Sequence, residues 1–171
     1  EAFAGIELAW FDHFAKGKPK PELPPYRLFV MGANEWRDET EWPLARTTYT
    51  PYYLGGDGSG RLGGLQPDLP GAEEPDAYSY DPDHPVPTRG GSVLFDTPIG
   101  SHDQTGLEAR DDVLVYTTAP LDRAVEVTGP VKVVLYAASD APDTDWTAKL
   151  IDVYPDGAAY MPAALPPNQL G

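Results

Sequence analysis

The sequence predicts a mostly β protein, an antiparallel β-sandwich with one helix at its amino terminus. Three observations support this fold class. A helical spacing of apolar residues occurs only within residues 1–17, short apolar runs separated by turn residues fill the rest, and no helical pattern lies between those runs. The 20 Pro and 17 Gly among the 171 residues fall between the apolar runs, as in turns that join many short strands. The missing helical patterns argue against a parallel βαβ arrangement.

The first segment predicts a helix with one apolar face. Large apolar residues recur at intervals of three or four and form one stripe: Phe3, Ile6, Trp10 and Phe14. Gly17 is placed to end the helix, and Pro19 prevents its resumption. A membrane-surface helix would carry a basic cluster on its polar face, and this helix has none. We therefore expect the stripe to pack against a neighbouring domain.

Strands are predicted in the apolar or β-branched runs that follow. They are residues 26–31, 47–54, 113–117, 125–127, 131–137 and 146–153. Residues 55–64 include six glycines and predict a flexible loop. Residues 67–87 are rich in Pro, Asp and Glu and predict an extended surface loop, whereas Pro155-Asp156-Gly157 predicts a tight turn.

Charge and composition exclude several classes of partner. The formal net charge of −15 repels phosphate backbones and anionic membranes, so neither a nucleic acid nor a membrane is expected as a partner. The chain has no cysteine, which excludes disulfides, a cysteine nucleophile and cysteine-ligated zinc. No apolar run approaches the ~18 residues of a membrane span. These features predict a soluble protein and leave open whether it is cytoplasmic or secreted.

No catalytic residue is expected in this chain. The α/β class of serine hydrolases needs a serine in Gly-x-Ser-x-Gly. None of the five serines has that setting: Ser59, Ser79, Ser92, Ser101 and Ser139. A triad also needs a histidine held by a carboxylate. His13 follows Asp12, but adjacent helix positions point to different sides. His84 and His102 fit surface or packing roles, and we expect the chain by itself to be inactive.

Two further functions, metal binding and sugar binding, are less favoured alternatives. Asp140, Asp143 and Asp145 cluster as calcium ligands can, but they lack the glycine and distal glutamate of an EF-hand loop, and a turn is favoured. We expect neither a metal nor another cofactor. Aromatic rings can stack on sugars, and the candidates for such a platform are Trp36, Trp42, Tyr49, Tyr52 and Tyr53. The alternative hypothesis is therefore a carbohydrate-binding module, or a structural or oligomerisation module.

Nine stretches, taken in order and spacing, resemble one family. They are WFDHFAKG at 10–17, VMGANEWR at 30–37, WPLA at 42–45, YYL at 52–54, YDPDHPVPTRGG at 80–91, DQ at 103–104, RDDVLVYT at 110–117, VTGPV at 127–131 and SDAPDTDWTAKLIDVYPDG at 139–157. Together they resemble the carboxyl-terminal region of the cocaine esterase and X-Pro dipeptidyl-peptidase-like serine hydrolases. The resemblance covers roughly residues 1–160.

The resemblance implies a domain organisation. Residues 1–17 would be the last helix of an α/β-hydrolase domain, residues 18–25 a linker, and residues 26–171 a jelly-roll accessory domain of the galactose-binding-like type. The partners would be the upstream hydrolase and cap domains, which would hold the catalytic Ser, Asp and His. The substrate of the whole enzyme would be a small ester or an X-Pro peptide or amide.

The same resemblance implies one pair of substrate-binding residues and one departure. The segment at 89–95 resembles a loop near the active-site mouth of the family, so Leu94 and Phe95 are candidates for an apolar wall of the pocket. Beyond Gly157 the chain no longer resembles the family's continuation, and we expect the jelly roll to be truncated there. Unpaired sheet edges favour association, so an oligomer is possible.

Overall fold

The computed structural model describes residues 3–56, 60–91 and 99–160. Its elements, in chain order, are α1 Phe3–Lys16, β1 Tyr26–Val30, β2 Glu35–Glu39, β3 Tyr53–Gly56, β4 Leu62–Gln66, α2 Thr105–Glu108, β5 Val115–Thr117, β6 Asp152–Val153 and β7 Ala159–Tyr160. The strands form the sheets β1-β2, β3-β4-β5 and β6-β7. Every pairing between these strands is antiparallel except β4 with β5. The predicted class, mostly β with a helix at the amino terminus, is confirmed.

Helix α1 ends where the sequence predicts. Gly17 adopts the left-handed conformation, and its amide donates to the carbonyl of His13 at 3.1 Å, which closes the last turn. Trp10 and Phe14 lie one turn apart, with ring centroids 4.7 Å from each other. Ile6 lines a small cavity with Leu23 of the following segment. Within the described residues, no helix has the length and apolar character to cross a membrane.

The first hairpin joins β1 and β2 in a register that pairs both aromatic and charged residues. Phe29 lies opposite Trp36, and their ring centroids are 5.2 Å apart. Arg27 lies opposite Asp38, and its guanidinium donates to both carboxylate oxygens at 2.7 and 3.0 Å. Such cross-strand pairs are what stabilises an antiparallel ladder. The sequence analysis identified β1 and did not identify β2.

The glycine-rich segment is a correction to the sequence analysis. Residues 55–64 were expected to form a flexible loop, but Gly55 pairs with Gly64 and Gly56 pairs with Gly63 between β3 and β4. Residues 57–59 lie outside the described residues. At Gly63 a neighbouring side chain occupies the space of a Cβ. A Cβ built at Gly63 would lie 2.6 Å from Cδ1 of Tyr116 on β5. Close approach of a neighbour, rather than backbone freedom, accounts for this glycine.

Several expected strands are shorter than predicted or absent. Residues 125–127 and 131–137 have no regular secondary structure, and only Asp152–Val153 of the strand predicted at 146–153 is paired. Residues 113–117 and 47–54 contribute β5 and the start of β3, whereas residues 47–52 form no strand. The unpaired runs are apolar and open to solvent. Val133, Val134 and Leu135 are 57%, 63% and 48% exposed. An apolar pattern makes a strand only where another strand lies beside it.

The tight turn predicted at Pro155-Asp156-Gly157 is confirmed. It joins β6 to β7, and the amide of Tyr154 donates to the carbonyl of Ala158 at 2.8 Å. The extended surface loop predicted at 67–87 contains turns and bends without a helix or strand. Two segments distant in the chain are joined by a hydrogen bond from the Thr47 hydroxyl to the carbonyl of Thr128, at 3.1 Å.

Little of the apolar surface is buried. Leu44 and Ala159 are the buried hydrophobic residues of the described chain. The accessible surface is 13631 Å². A compact folded monomer of 18.6 kDa is expected to expose only about 8,000 Å². The excess exposure arises because apolar faces such as that of α1 have no cover within the described chain.

Candidate functional site

The substrate-binding candidates Leu94 and Phe95 lie in residues 92–98, outside the described residues. The residues on either side of that segment are described and lie against each other. The amide of Gly91 donates to the carbonyl of Gly100 at 2.7 Å, and the amide of Gly100 donates back at 3.0 Å. We call residues 89–91 together with residues 100–102 the loop neck. It places Gly91 and Gly100 side by side.

The loop neck depends on a glycine at position 90. Gly90 is buried and has a φ of +72°, a conformation that side chains with a Cβ rarely adopt. A Cβ there would lie 2.8 Å from Cδ2 of His102 and would also press on the carbonyl oxygen of Gly100. The backbone of the first strand of the neck can therefore approach the second only because residue 90 has no side chain.

A buried glutamine spans the loop neck. Gln104 is 1% exposed, the most enclosed large side chain of the described residues. Its amide nitrogen donates to the carbonyl of Arg89 at 2.9 Å and to the carbonyl of His102 at 2.8 Å. Its amide oxygen accepts from the ammonium of Lys149 at 3.1 Å. Both amide hydrogens and the amide oxygen thus have partners, as burial requires.

The neighbouring aspartate fastens the loop neck to β7. Asp103 Oδ1 accepts from the hydroxyl of Thr105 at 2.6 Å, from its amide at 3.0 Å and from the amide of Ala159 at 3.3 Å. These donors hold the pKa of the Asp103 carboxyl below its usual value, with the Thr105 hydroxyl contributing most. The amide of Gln104 in turn donates to the carbonyl of Ala159 at 2.8 Å. Residues 103–104 therefore connect three segments that are distant in the chain, those that contain Arg89, Lys149 and Ala159.

The three histidines lie in different settings. His102 is part of the loop neck, and His13 Nδ1 lies 2.7 Å from the carbonyl oxygen of Lys18, beyond the end of α1. His84 Nδ1 lies 2.7 Å from Asp81 Oδ2 in an exposed turn, and the carbonyl of His84 accepts from Arg110. The acid of a catalytic triad is buried, whereas the side chain of Asp81 is 57% exposed. In the described part of the chain, the partner of the His84 ring is this carboxylate and not a serine.

The three serines that the structure describes do not converge on one site. Ser59 and Ser92 lie outside the described residues. Ser101 is buried beside the loop neck, Ser79 is exposed, and the Ser139 hydroxyl accepts from the amide of Ala141 at 3.1 Å. The last contact is the turn-type bond expected for the 139–145 run. Within the described ranges, no group of His, Asp and Glu side chains is arranged to hold a metal ion.

The aromatic residues proposed as a sugar platform are spread over the surface. Trp36 packs on Phe29 in the first hairpin and is 67% exposed. Tyr52 lines a shallow cavity of about 510 Å³ beside the ends of β4 and β5, with Leu65 and Leu121. Tyr49 is 66% exposed and lies between β2 and β3, outside any strand. The described residues therefore show an apolar groove at Tyr52 rather than a row of stacked rings.

Sequence reasoning did not single out Gln104. A glutamine is usually exposed, and a buried one is recognised only when its three partners, distant in the chain, are known. The available signal was its place in the DQ pair, which carries part of the family resemblance. Gly90 and Gly91 likewise stand within a matching stretch, but the sequence does not reveal that they meet Gly100.

Comparison with known proteins gives consistent matches over most of the chain. Residues 21–165 match the family described as X-Pro dipeptidyl-peptidase C-terminal non-catalytic domain. The cocaine esterase of Rhodococcus sp. is 49% identical over 161 residues, 90% of this chain and 28% of that protein. A protein of Mycobacterium bovis named as a serine esterase is 34% identical over 165 residues, 92% of this chain and 25% of that protein. The chain thus spans about a quarter of the length of these relatives.

Proposed function

Because the chain belongs to the family of X-Pro dipeptidyl-peptidase C-terminal non-catalytic domains, we propose that it is the accessory domain of a longer serine acyl hydrolase. Its role is to shape the substrate pocket and to stabilise the assembly. The two relatives above carry esterase names and are about four times as long as the matched region. Their length supports upstream hydrolase and cap domains as the partners of this chain.

The proposed organisation follows the family. Residues 1–17 are the last helix of the hydrolase domain, residues 18–25 are the linker, and residues 26–171 are a jelly-roll domain of the galactose-binding-like type. The end of α1 at Gly17 and the start of β1 at Tyr26 support these limits.

One observation carries the proposal, the uncovered apolar face of α1. Trp10, Phe11 and Phe14 are 47%, 64% and 63% exposed. Burying a phenylalanine or leucine side chain stabilises a protein by roughly 1.5–3 kcal/mol, so a face of this kind is expected to meet another surface. Because residues 10–17 resemble the end of a hydrolase domain, we propose that this other surface belongs to the upstream hydrolase domain. The same contact would hold the catalytic domain against the accessory domain.

The reaction of the whole enzyme is proposed to be ester or X-Pro amide hydrolysis. A serine hydroxyl upstream of this chain attacks the carbonyl carbon, and an upstream histidine takes its proton and gives it to the leaving alcohol or amine. Water then attacks the acyl-serine and releases the acid, which regenerates the serine. Backbone amides stabilise the oxyanion in both steps. Leu94 and Phe95 of this chain are proposed to line the pocket that receives the acyl or side-chain group.

A fluorophosphonate labelling experiment tests this proposal. The full-length protein is incubated with a fluorescent fluorophosphonate, digested and mapped, and its turnover of p-nitrophenyl acetate and of an X-Pro amide is followed. We expect one labelled serine per molecule, located outside this chain, with turnover that disappears when that serine is replaced by alanine. Variants carrying alanine at Ser79, Ser101 and Ser139 serve as matched controls and should label normally.

Two results would contradict the proposal. Labelling of a serine within this chain would show that the domain is itself catalytic. A full-length protein that neither labels nor turns over either substrate, while sugars quench its tryptophan fluorescence, would favour a carbohydrate-binding module. The labelling readout separates these results, because it reports the nucleophile directly and does not depend on the choice of substrate.

A further inference from the structure

The groove at Tyr52 has the size of a small-molecule site. We call it the Tyr52 groove, and it is lined by Tyr52 and by residues 64–67 and 117–122. Its volume of about 510 Å³ lies within the range of roughly 300–1,000 Å³ that is usual for pockets that bind small ligands. The hydrolase reaction proposed above assigns no role to any of these residues.

One part of the Tyr52 groove is apolar and open. The side chain of Tyr52 is 45% exposed, and Leu65, Pro120 and Leu121 line the groove with it. An exposed aromatic ring in such a setting can pack against the C–H groups of a flat ligand ring. This part of the groove therefore suits a ligand with an apolar face.

The other part of the groove consists of polar side chains without partners. They are Gln66, Thr117, Thr118 and Asp122. Within the described residues, these four side chains make no hydrogen bond to another residue. A wholly apolar ligand would remove them from water without giving them a partner, which costs free energy. The groove therefore favours a ligand that carries hydroxyl groups as well as an apolar face.

Charge distinguishes between ligands of that kind. Of the described residues that line the groove, only Asp122 carries a charge, and the whole chain has a formal net charge of −15. A carboxylate accepts hydrogen bonds from hydroxyl groups and repels the anionic group of an acidic sugar or a phosphate ester. An amine would pair with Asp122 but would leave Gln66 and the two threonines without partners.

We propose that the Tyr52 groove binds a neutral saccharide, with one sugar ring packed on Tyr52 and its hydroxyl groups bonded to Gln66 and Asp122. A sugar ring carries hydroxyl groups around its edge and C–H groups on its faces, which matches both parts of the groove. A proline-rich peptide matches less well, because grooves for such peptides are lined by several aromatic rings, whereas Tyr52 is the only aromatic residue among those described in this lining. This inference goes beyond the proposed hydrolase function and does not depend on it.

Gly64 allows a sharp test, because its missing side chain leaves part of the groove open. It pairs with Thr117 of β5, and Gln66 lies two residues further along β4, so the three residues share one face of the sheet. A Cβ built at Gly64 would lie 3.8 Å from Gln66 Oε1, an ordinary contact, and would meet no closer neighbour among the described residues. Valine at this position is therefore expected to fit the strand and to fill space that the ligand needs.

Isothermal titration calorimetry of the full-length protein with cellobiose, maltose and lactose tests the proposal. We expect at least one of these neutral sugars to bind to wild type with a millimolar or lower Kd. Tyr52→Ala and Gly64→Val should each weaken that binding by about tenfold or more, because the first removes the stacking ring and the second occupies the groove. Tyr52→Phe keeps the ring and should stay within about twofold of wild type.

Matched controls separate loss of the site from loss of the fold. Tyr49→Ala removes a tyrosine that is 66% exposed and does not line the groove, so it should leave the Kd unchanged within about twofold. The melting temperature of each variant shows whether it is folded. If Tyr52→Ala does not fold, Asp122→Ala at an exposed position provides the test, and it should weaken binding by about tenfold through the lost charged acceptor.

The outcomes decide this inference separately from the proposed function. It is overturned if none of the three sugars binds, or if the groove variants bind them as wild type does, because the sugar then lies elsewhere. It is also overturned if a proline-rich peptide binds instead and is lost in the same variants. Fluorophosphonate labelling decides the hydrolase function independently. Sugar binding at the groove by a protein that does not label would overturn that function and leave this inference standing.

Discussion

Gly63 of β4 lies opposite Tyr116 of β5, and the tyrosine ring fills the space that a side chain at position 63 would need. The ring is held there by its hydroxyl, which donates to Asp76 Oδ2 at 2.6 Å. On the other side of Gly63 lies the carbonyl oxygen of Gly55, a backbone atom that cannot rotate away. The parallel pairing of β4 with β5 therefore depends on the absence of a Cβ at residue 63.

Replacing that glycine should destabilise the protein. For Gly63→Ala we expect a loss of about 2 kcal/mol in the free energy of unfolding, because the added methyl group overpacks against Tyr116 and Gly55. Urea unfolding followed by tyrosine and tryptophan fluorescence measures this loss. Gly71→Ala is the matched control, since a Cβ there meets nothing within 4 Å. Equal effects of the two substitutions would disprove the packing argument.

The hydrogen bond between Tyr116 and Asp76 should be visible in alkaline titrations. Burial, and next the contact with Asp76, raise the pKa of the Tyr116 phenol. Because the folded-state pKa is raised, the stabilisation is complete below the ordinary tyrosine pKa of about 10 and declines as pH rises above it. Stability measured from pH 8 to 11.5 should therefore fall more steeply for wild type than for Tyr116→Phe.

The same substitution also measures the bond at neutral pH. Tyr116→Phe removes the donor and should cost about 1.5 kcal/mol, the usual worth of a hydrogen bond to a charged acceptor. Tyr80→Phe is a suitable control because Tyr80 is 56% exposed. A Tyr116→Phe variant as stable as the control would show that the bond contributes nothing net.

The Asp103 carboxylate should make the loop neck sensitive to acid. Its pKa is lowered by the Thr105 hydroxyl first, and then by the amides of Thr105 and Ala159. A lowered folded-state pKa contributes stability above the ordinary aspartate value of about 4, and this contribution is lost as pH falls through the folded pKa. The stability difference between wild type and Asp103→Asn should thus be largest above about pH 5 and shrink below about pH 4. Urea midpoints between pH 3 and 7 measure it, and a constant difference over that range would contradict the assignment.

The exposed face of α1 gives a prediction about the full-length protein. If this face is covered by a hydrolase domain, Phe14→Ala should cost about 3 kcal/mol there, as for other buried phenylalanines. Lys16→Ala, at an exposed position on the opposite side of the same helix, should change stability by no more than about 1 kcal/mol, the usual worth of a surface ion pair such as that with Asp12. Thermal unfolding of both variants measures the difference. A Phe14→Ala variant as stable as Lys16→Ala would mean that the face is uncovered in the full-length protein too.

The features predicted correctly from sequence are those that local chemistry determines. Helix α1 follows from an apolar spacing and a terminal glycine, β1 from a short β-rich run, and the β6–β7 turn from Pro155-Asp156-Gly157. Each signal lies within a few residues of the structure that it specifies. The mostly β class follows from the repetition of such signals along the chain.

The features that were missed depend on partners distant in the chain. Gly63 and Gly64 look like loop residues until Tyr116 is placed against β4. The valines at 131–134 have a strand pattern but no neighbouring strand in the described residues. Gln104 cannot be identified as buried before Arg89, His102 and Lys149 are brought around it. Leu94 and Phe95 were singled out by resemblance alone and remain a prediction.

The open apolar face of α1 also bears on how such a domain is inherited and produced. A chain that displays Trp10, Phe11 and Phe14 to water offers a binding site for chaperones and a nucleus for aggregation when it is synthesised alone. If the proposed hydrolase domain covers this face, we expect translation of both in one polypeptide to be favoured over a separate gene. Under the same proposal, genetic exchange between related enzymes should succeed at the linker after Gly17, with α1 left on the hydrolase side of the junction.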